Sequence, residues 1–437
     1  MQSFQMFLND EEKAILEGKQ GATLQKVMHS VVLYGEAFNA ERLVPLEGAP
    51  HFVASFGASM IKPYFAMMDE LIAAGLKSKL PFTVDPRPID FASTDPGFLP
   101  GLVSRLIYGK QADYEDQLRK VGLKNDNAFS CACYLPEVGN IPSYGAMLAW
   151  SESSAVVYAN SVLGARTNRN SAGIDLMCNI LGNAPLFGLM TDAGRQATWL
   201  VEVKTSHKPN PQLLGSAIGI KTVEDVPLIA GLEPFLGDSL DETACAYLKD
   251  MGAASASNGA VGLYHVENLT PEIKRAGRAA MLAEGYKIYR VDDAELERVR
   301  ASYPVLWKNR NARPRQAFIG CPHLSRGQVA EWVTRFEEAL ARKGKDRLTL
   351  PVYMCSAPDV IDLVKKDVPL IDRLHKLGAR LTPICPLMYM NNPLCALQPI
   401  VTNSNKLRTY STARFFLDED LLEIAVEGWN SQGANHG

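Results

Sequence analysis

The chain has no apolar stretch approaching the roughly 18 residues that a membrane helix requires. Its N-terminus, MQSFQMFLNDEEKAILEG, lacks the basic segment and apolar core of a secretory signal. No Lys/Arg run stands out, and 45 basic against 48 acidic side chains leave a net charge of −3. Nothing here offers the polycationic surface that a phosphate backbone demands. Neither nucleic acid nor membrane is expected as a partner, and a cytoplasmic protein is. Cysteine is scarce, eight in 437 residues, which is too few for a disulfide scaffold in a chain of this length. The paired CxxC and HxxxH spacings that announce zinc or redox sites are absent, although Cys131 and Cys133 form a CxC. Internal repeats and low-complexity segments are missing too. What remains is an ordinary globular composition, 47% hydrophobic, in a chain long enough for two or three domains.

Local patterns predict alternating helices and strands. Asn9 and Glu12 make a capping box for a first helix, which Gly18 and Gly21 end. HFVASFG reads as a strand ending at Gly57, followed by a helix with Phe65, Met68, Leu71 and Ile72 on one face. LPFTVDPRPID reads as a strand running into a Pro-rich turn. In the interior, WLVEV, LLGSAIGI and AVGLYHV read as strands, and PEIKRAGRAAMLAEG as a helix closed by Gly285. The last residues, EGWNSQGANHG, read as a frayed tail.

The C-terminal third repeats one arrangement. QAFIGC, LTLPVYMC and ARLTPIC are apolar strands that each end in a cysteine, and helices over 326–343 and 358–377 follow the first two. Ser325 and Gln328 form a capping box, and Val329, Trp332, Val333, Phe336 and Leu340 recur at helical spacing. A fourth strand, LQPIV, ends in TNSNK. Right-handed crossovers put the C-terminal ends of parallel strands on one sheet edge, where ligands bind. Cys321, Cys355, Cys385 and the Ser404/Lys406 loop therefore converge on such an edge. Thiolates from separate loops can hold an iron–sulfur cluster without any fixed local spacing. Polar groups such as Arg166 and Asn168 would orient an anionic, hydroxylated substrate beside it.

The segments SCACYLPEVGNIPSYGAMLAWSESSAVVYANSVLGARTNRN, AFIGCPHLS and VTNSNK resemble signature segments of aconitase X, the divergent branch of the aconitase superfamily. The opening helices and FTVDPRPIDF resemble it as well, so the similarity covers nearly the whole chain. The resemblance implies an α/β fold of aconitase-like α/β/α layers with parallel sheets, whose small swivelling domain is absent from this chain. It divides the chain into a region 1–290, carrying Cys131 and the RTNR loop, and a region 291–437, carrying Cys321, Cys385 and the TNSNK loop. Members are iron–sulfur-assisted dehydratases, and cis-3-hydroxy-L-proline and mevalonate 5-phosphate are the substrate types implied.

Carried over by position, the resemblance assigns the cluster thiolates to Cys131, Cys321 and Cys385, so that Cys355 lines the site without ligating metal. Cluster nuclearity stays open. Ser404 is the expected base, with Lys406 stabilising its alkoxide. Arg166, Asn168, Asn403, Tyr134, His323 and Ser325 are expected around the substrate, with Arg169 as a further carboxylate partner. The preferred substrate is cis-3-hydroxy-L-proline, because no Gly-rich loop or Lys/Arg cluster for a phosphate accompanies the site. Mevalonate 5-phosphate is the alternative, and a metal-stabilised small-molecule-binding protein is the non-enzymatic one. A separate small subunit is the expected partner, completing a heterodimer.

Overall fold

The computed structural model describes residues 4–53, 57–58 and 61–429. Parts of two expectations, the strand over 51–57 and the C-terminal tail, fall at 54–56 and 430–437, outside the described residues. The early strands are short: β1 (Leu43–Pro45), β2 (His51–Phe52), β3 (Thr83–Val84) and β4 (Asn183–Pro185). β1 pairs antiparallel with β4, and β2 parallel with β3. A four-stranded sheet follows, built from β5 (Ala197–Val203), β6 (Pro227–Ala230), β7 (His265–Val266) and β8 (Leu282–Val291) in the order β7-β6-β5-β8, parallel throughout. A five-stranded parallel sheet completes the fold. Its strands are β9 (Gln316–Leu324), β10 (Val352–Ser356), β11 (Arg380–Thr382), β12 (Ile400–Thr402) and β13 (Arg414–Phe415), in the order β11-β10-β9-β12-β13. The chain is thus mixed α/β with parallel sheets, as expected. Among the described residues no helix is long and apolar enough to cross a membrane.

Both capping boxes form, at Asn9/Glu12 and at Ser325/Gln328. The helix Arg326–Arg342 buries the apolar stripe its period specifies. Two interior readings are corrected. LLGSAIGI belongs to the helix Pro211–Thr222, capped by Asn210, which accepts the Leu213 N–H. This helix is buried almost all round, so no helical stripe is written into it. It packs on the helix Glu242–Asn258 so closely that a Cβ at Gly215 would lie 2.1 Å from the Met251 carbonyl oxygen. PEIKRAGRAAMLAEG splits at Gly277, whose φ is +80°, into two short helices, and Gly285 lies within β8 instead of ending a helix.

Because β9 to β13 are all parallel, their C-terminal ends share one edge. The N-terminal region covers that edge. Backbone bridges join Val84 to Phe129 and Arg87 to Ile384, which brings the loops before Cys131 and Cys385 side by side.

Candidate active site

β9 is the buried middle strand of the larger sheet, and its last residues bulge. The register with β10 jumps from Met354 opposite Ile319 to Ser356 opposite Leu324, leaving Gly320–His323 over a single residue, Cys355. Gly320 has φ +95°, and a Cβ there would sit 2.4 Å from the Cys355 carbonyl oxygen, so only glycine fits. The bulge turns Cys321 toward a cavity of about 280 Å³. Cys131, Cys385, His323, Glu152, Arg169, Lys406 and Asp85 share its wall.

His323 ties the three thiol loops together. Its ring is wholly buried, and burial lowers its pKa to about 4, so the imidazole is neutral. Nε2 lies 3.1 Å from the Ile384 carbonyl oxygen, which can only accept, so Nε2 carries the proton. Nδ1, 3.2 Å from Ser130 Oγ, accepts from that hydroxyl. The His323 backbone N–H donates to Cys131 Sγ at 3.3 Å. One residue two positions from Cys321 thus holds the residues preceding Cys131 and Cys385.

Lys406 enters from the short helix Asn405–Tyr410 that follows β12. Its buried Nζ donates to Glu152 Oε1 at 2.5 Å and to Ser153 and Ser154 Oγ at 3.2 Å. Glu152 is the N-cap of the helix Ser153–Tyr158, where Oε2 accepts from the Ala155 N–H and the Ser154 hydroxyl. Burial opposes charge on both partners, but their mutual attraction outweighs it, raising the Lys406 pKa and lowering that of Glu152. The pair is ionic. Burial also pushes the thiols up, and the Lys406 ammonium pulls Cys321 partly back.

Several expected site residues are engaged elsewhere. Ser404 caps the Asn405–Tyr410 helix by accepting the Leu407 N–H and donates its proton to the Cys321 carbonyl oxygen at 2.6 Å. The alkoxide pairing of Ser404 with Lys406 is not formed, because each spends its polar atoms on other partners. Arg166 donates to Asp192 and to the Met190 carbonyl, away from the cavity wall. Asn168 pins the 187–189 loop through the Phe187 carbonyl and the Leu189 N–H. Tyr134 stacks on Tyr158 with ring centroids 3.7 Å apart. Asn403 donates to Asp418, and Ser325 caps its helix. Asn403 and Ser325 line a neighbouring cavity of about 410 Å³, which meets the first at Gly320 and Cys321. Cys355 lies wholly buried in an apolar cluster with Phe318, Tyr353 and Ile384 and does not reach the thiol cavity's wall.

Arg169 does reach that wall, without an ion-pair partner among the described residues. Glu152 and Asp85 were not singled out from sequence. Glu152 carried a signal in ESSAVVY, an acidic group before two hydroxyls and an apolar helix. Asp85 had only its place before a proline. Three soft sulfur donors from separate loops, with a backbone N–H aimed at one of them, have the donor chemistry of an iron–sulfur cluster. Among the described residues no three His, Cys, Asp or Glu side chains converge as a single-ion site.

Comparison with known proteins bears on this geometry. The family model for the aconitase X first domain matches residues 5–193, and that for the aconitase X second domain matches 197–301. The phosphomevalonate dehydratase large subunit of Thermococcus kodakarensis is 32% identical over 354 residues, covering 80% of this chain and 81% of that one. The cis-3-hydroxy-L-proline dehydratase of Pseudomonas aeruginosa is 27% identical over 433 residues, covering 97% of this chain and 70% of that one. A crystal structure of Thermococcus kodakaraensis aconitase X in its holo form superposes with a TM-score of 0.78 at 28% identity, covering 96% of this chain and all of that one. With both domain models and the whole-chain fold in agreement, the chain belongs to the aconitase X family, to which these dehydratases are similar.

Proposed function

We propose that the chain is the large subunit of an iron–sulfur-dependent hydro-lyase acting on a small zwitterionic hydroxy acid of the cis-3-hydroxy-L-proline type. The observation that carries the substrate class is the charge of the cavity wall. Two carboxylates, Asp85 and Glu152, face two cations, Arg169 and Lys406, and Lys406 is neutralised by Glu152. A zwitterion adds no net charge to such a wall. Its carboxylate meets the Arg169 fork. A substrate with both a carboxylate and a phosphate brings two anionic groups to a wall where, among the described residues, Arg169 alone is a cation without an ion-pair partner, beside two carboxylates.

Cys131, Cys321 and Cys385 are the proposed cluster ligands, on the strength of their shared wall and the His323 clamp. Once bound, the cluster supplies an iron Lewis acid that assists departure of hydroxide. The rest falls to side chains of this chain. Arg169 orients the substrate carboxylate, and Lys406, held as an ammonium, stabilises negative charge on the substrate beside it. Neutral His323 keeps the thiol loops in register. The relatives' large-subunit names support a separate small subunit that closes the site and excludes water.

Assaying the purified chain with its small subunit on cis-3-hydroxy-L-proline and on mevalonate 5-phosphate tests the reading. Turnover of the phosphorylated compound alone would overturn the substrate assignment, and full activity of the 437-residue chain without a partner would overturn the two-chain one. A second reading, phosphomevalonate, is favoured by the length match. This chain covers 81% of the Thermococcus kodakarensis large subunit but 70% of the Pseudomonas aeruginosa enzyme.

A further inference from the structure

Arg169 reaches the thiol cavity with no ion-pair partner among the described residues to aim it. Its direction is set through the backbone, which is pinned on both sides. Before it, the segment ending at Arg169 runs beside the one ending at Trp150. Backbone bridges join Met147 to Arg166 and Trp150 to Arg169, and the Trp150 N–H donates to Thr167 Oγ1 at 3.1 Å. After it comes Asn170, whose side chain is gripped at both ends. Its Oδ1 accepts the Tyr34 hydroxyl at 3.0 Å, and its Nδ2 donates to Asp175 Oδ1 at 2.8 Å. Tyr34 stands on the helix Ala22–Ala37. Asp175 lies in the first turn of the helix Ala172–Leu181, which Ser171 caps by accepting the Ile174 N–H. Asn170 is thus the one residue between the arginine and a helix cap, and side chains from two helices hold it.

Asp175 is wholly buried, and its Oδ2 has no hydrogen-bond partner. The titratable groups that interact with it are Tyr34 and Cys178, which burial pushes up, so both stay protonated. Burial also raises the Asp175 pKa well above the usual carboxylate range, against a smaller opposite pull from Asn170. A buried carboxylate facing no cation costs far more than a neutral acid, so Oδ1 accepts and Oδ2 carries the proton. A leucine of similar volume would fill the same space at lower cost, but it offers no acceptor to Asn170. We propose that Asp175 is a positioning residue for substrate binding: through Asn170 it fixes the backbone from which Arg169 reaches the cavity, and so sets the affinity for the substrate carboxylate. The proposal rests on the reading of Arg169 given above and adds what aims it. A guanidinium fork holds a carboxylate well only when its plane is already in place. Freed on the Asn170 side, Arg169 loses that preorganisation, while the thiol loops and Lys406 keep their own anchors.

The test is steady-state kinetics of the enzyme with its small subunit, on whichever of cis-3-hydroxy-L-proline and mevalonate 5-phosphate it turns over, since both carry a carboxylate. Iron per chain is measured alongside. Asn170→Ala and Asp175→Leu are expected to raise KM roughly tenfold, while kcat and iron per chain stay within about twofold of wild type. Asp175→Asn keeps both the acceptor and the neutral charge, so it should show the wild-type KM and melt no lower than wild type. Asn170 is only half-buried, so its truncation keeps the test readable if Asp175→Leu fails to fold. A wild-type KM in Asn170→Ala, with Arg169→Ala raising it, would overturn the positioning role and leave the reading of Arg169 standing. A rise in Asp175→Asn as large as that in Asp175→Leu would overturn the neutral anchor, because an ionised carboxylate would then be what holds Asn170. An unchanged KM in Arg169→Ala, or turnover of neither compound, would overturn the reading of the site and this proposal with it.

Discussion

The backbone N–H of His323 points at the sulfur of Cys131 from 3.3 Å, although 191 residues lie between them in sequence. A donor so placed favours a thiolate over a thiol, and the same residue's ring fixes the loops that carry Cys131 and Cys385. His323→Phe keeps much of the volume but strands the Ser130 hydroxyl and the Ile384 carbonyl. Each buried bond lost should destabilise by about 1–3 kcal/mol. Iron content per chain, measured beside the melting temperature, should fall more than in a Phe318→Leu variant of similar stability.

The proposed ligands are tested by colour. Anaerobically purified protein should be brown with a broad charge-transfer absorbance, and Cys131→Ser, Cys321→Ser or Cys385→Ser should each remove most of it. Cys355→Ser, buried off the cavity wall, should retain the absorbance. Colourless wild-type protein carrying one zinc per chain would refute the cluster.

Breaking the Lys406–Glu152 pair leaves a buried charge unmatched. Glu152→Gln should lower stability by about 3–5 kcal/mol in chemical denaturation, and the double variant Glu152→Gln/Lys406→Met should recover part of that loss. A loss equal in single and double variants would show that the pair is not coupled.

Substrate binding separates the two arginines. Arg169→Ala should raise KM for the hydroxy acid roughly tenfold to a hundredfold, the worth of a charged hydrogen-bond pair. Arg166→Ala breaks contacts to Asp192 and Met190 and should lower the melting temperature with little change in KM.

His51 makes stability pH-dependent. It is wholly buried between Thr83 and Trp150, and burial lowers its pKa from 6.5 to about 4, against a smaller opposite pull from Glu152. Between those values the unfolded chain holds a proton that the folded chain does not. Stability therefore falls as pH drops from 6.5 to 4, with His51 contributing up to roughly 3 kcal/mol. His51→Asn should make the decline of melting temperature over that window shallower. An unchanged slope would mean that the imidazole is protonated in the fold.

Much of this molecule was legible before folding. Strand-end thiols and helix caps follow local rules, so Cys321, the Ser325 box and the parallel C-terminal sheet could be read from spacing. Cys131 could not, because its loop reaches the sheet edge only through bridges from Val84 and Arg87. The helix Pro211–Thr222 escaped because a helix buried almost all round writes no stripe. Arg166 and Asn168 point elsewhere for a different reason. Motif membership brings a residue to the right loop, but side-chain direction decides whether it meets the cavity, and here the neighbour Arg169 does.

The three thiols stand at residues 131, 321 and 385, and β9 must bulge against β10 before Cys321 turns outward. A ribosome has nearly finished the polypeptide before the last of them emerges. If these three thiols hold the cluster, as proposed, metal loading is a post-synthetic event reserved for chains whose far ends have already met, and a truncated product would lack a ligand. A cluster held in this way would act as a checkpoint on completed synthesis, separating finished molecules from fragments by their metal content.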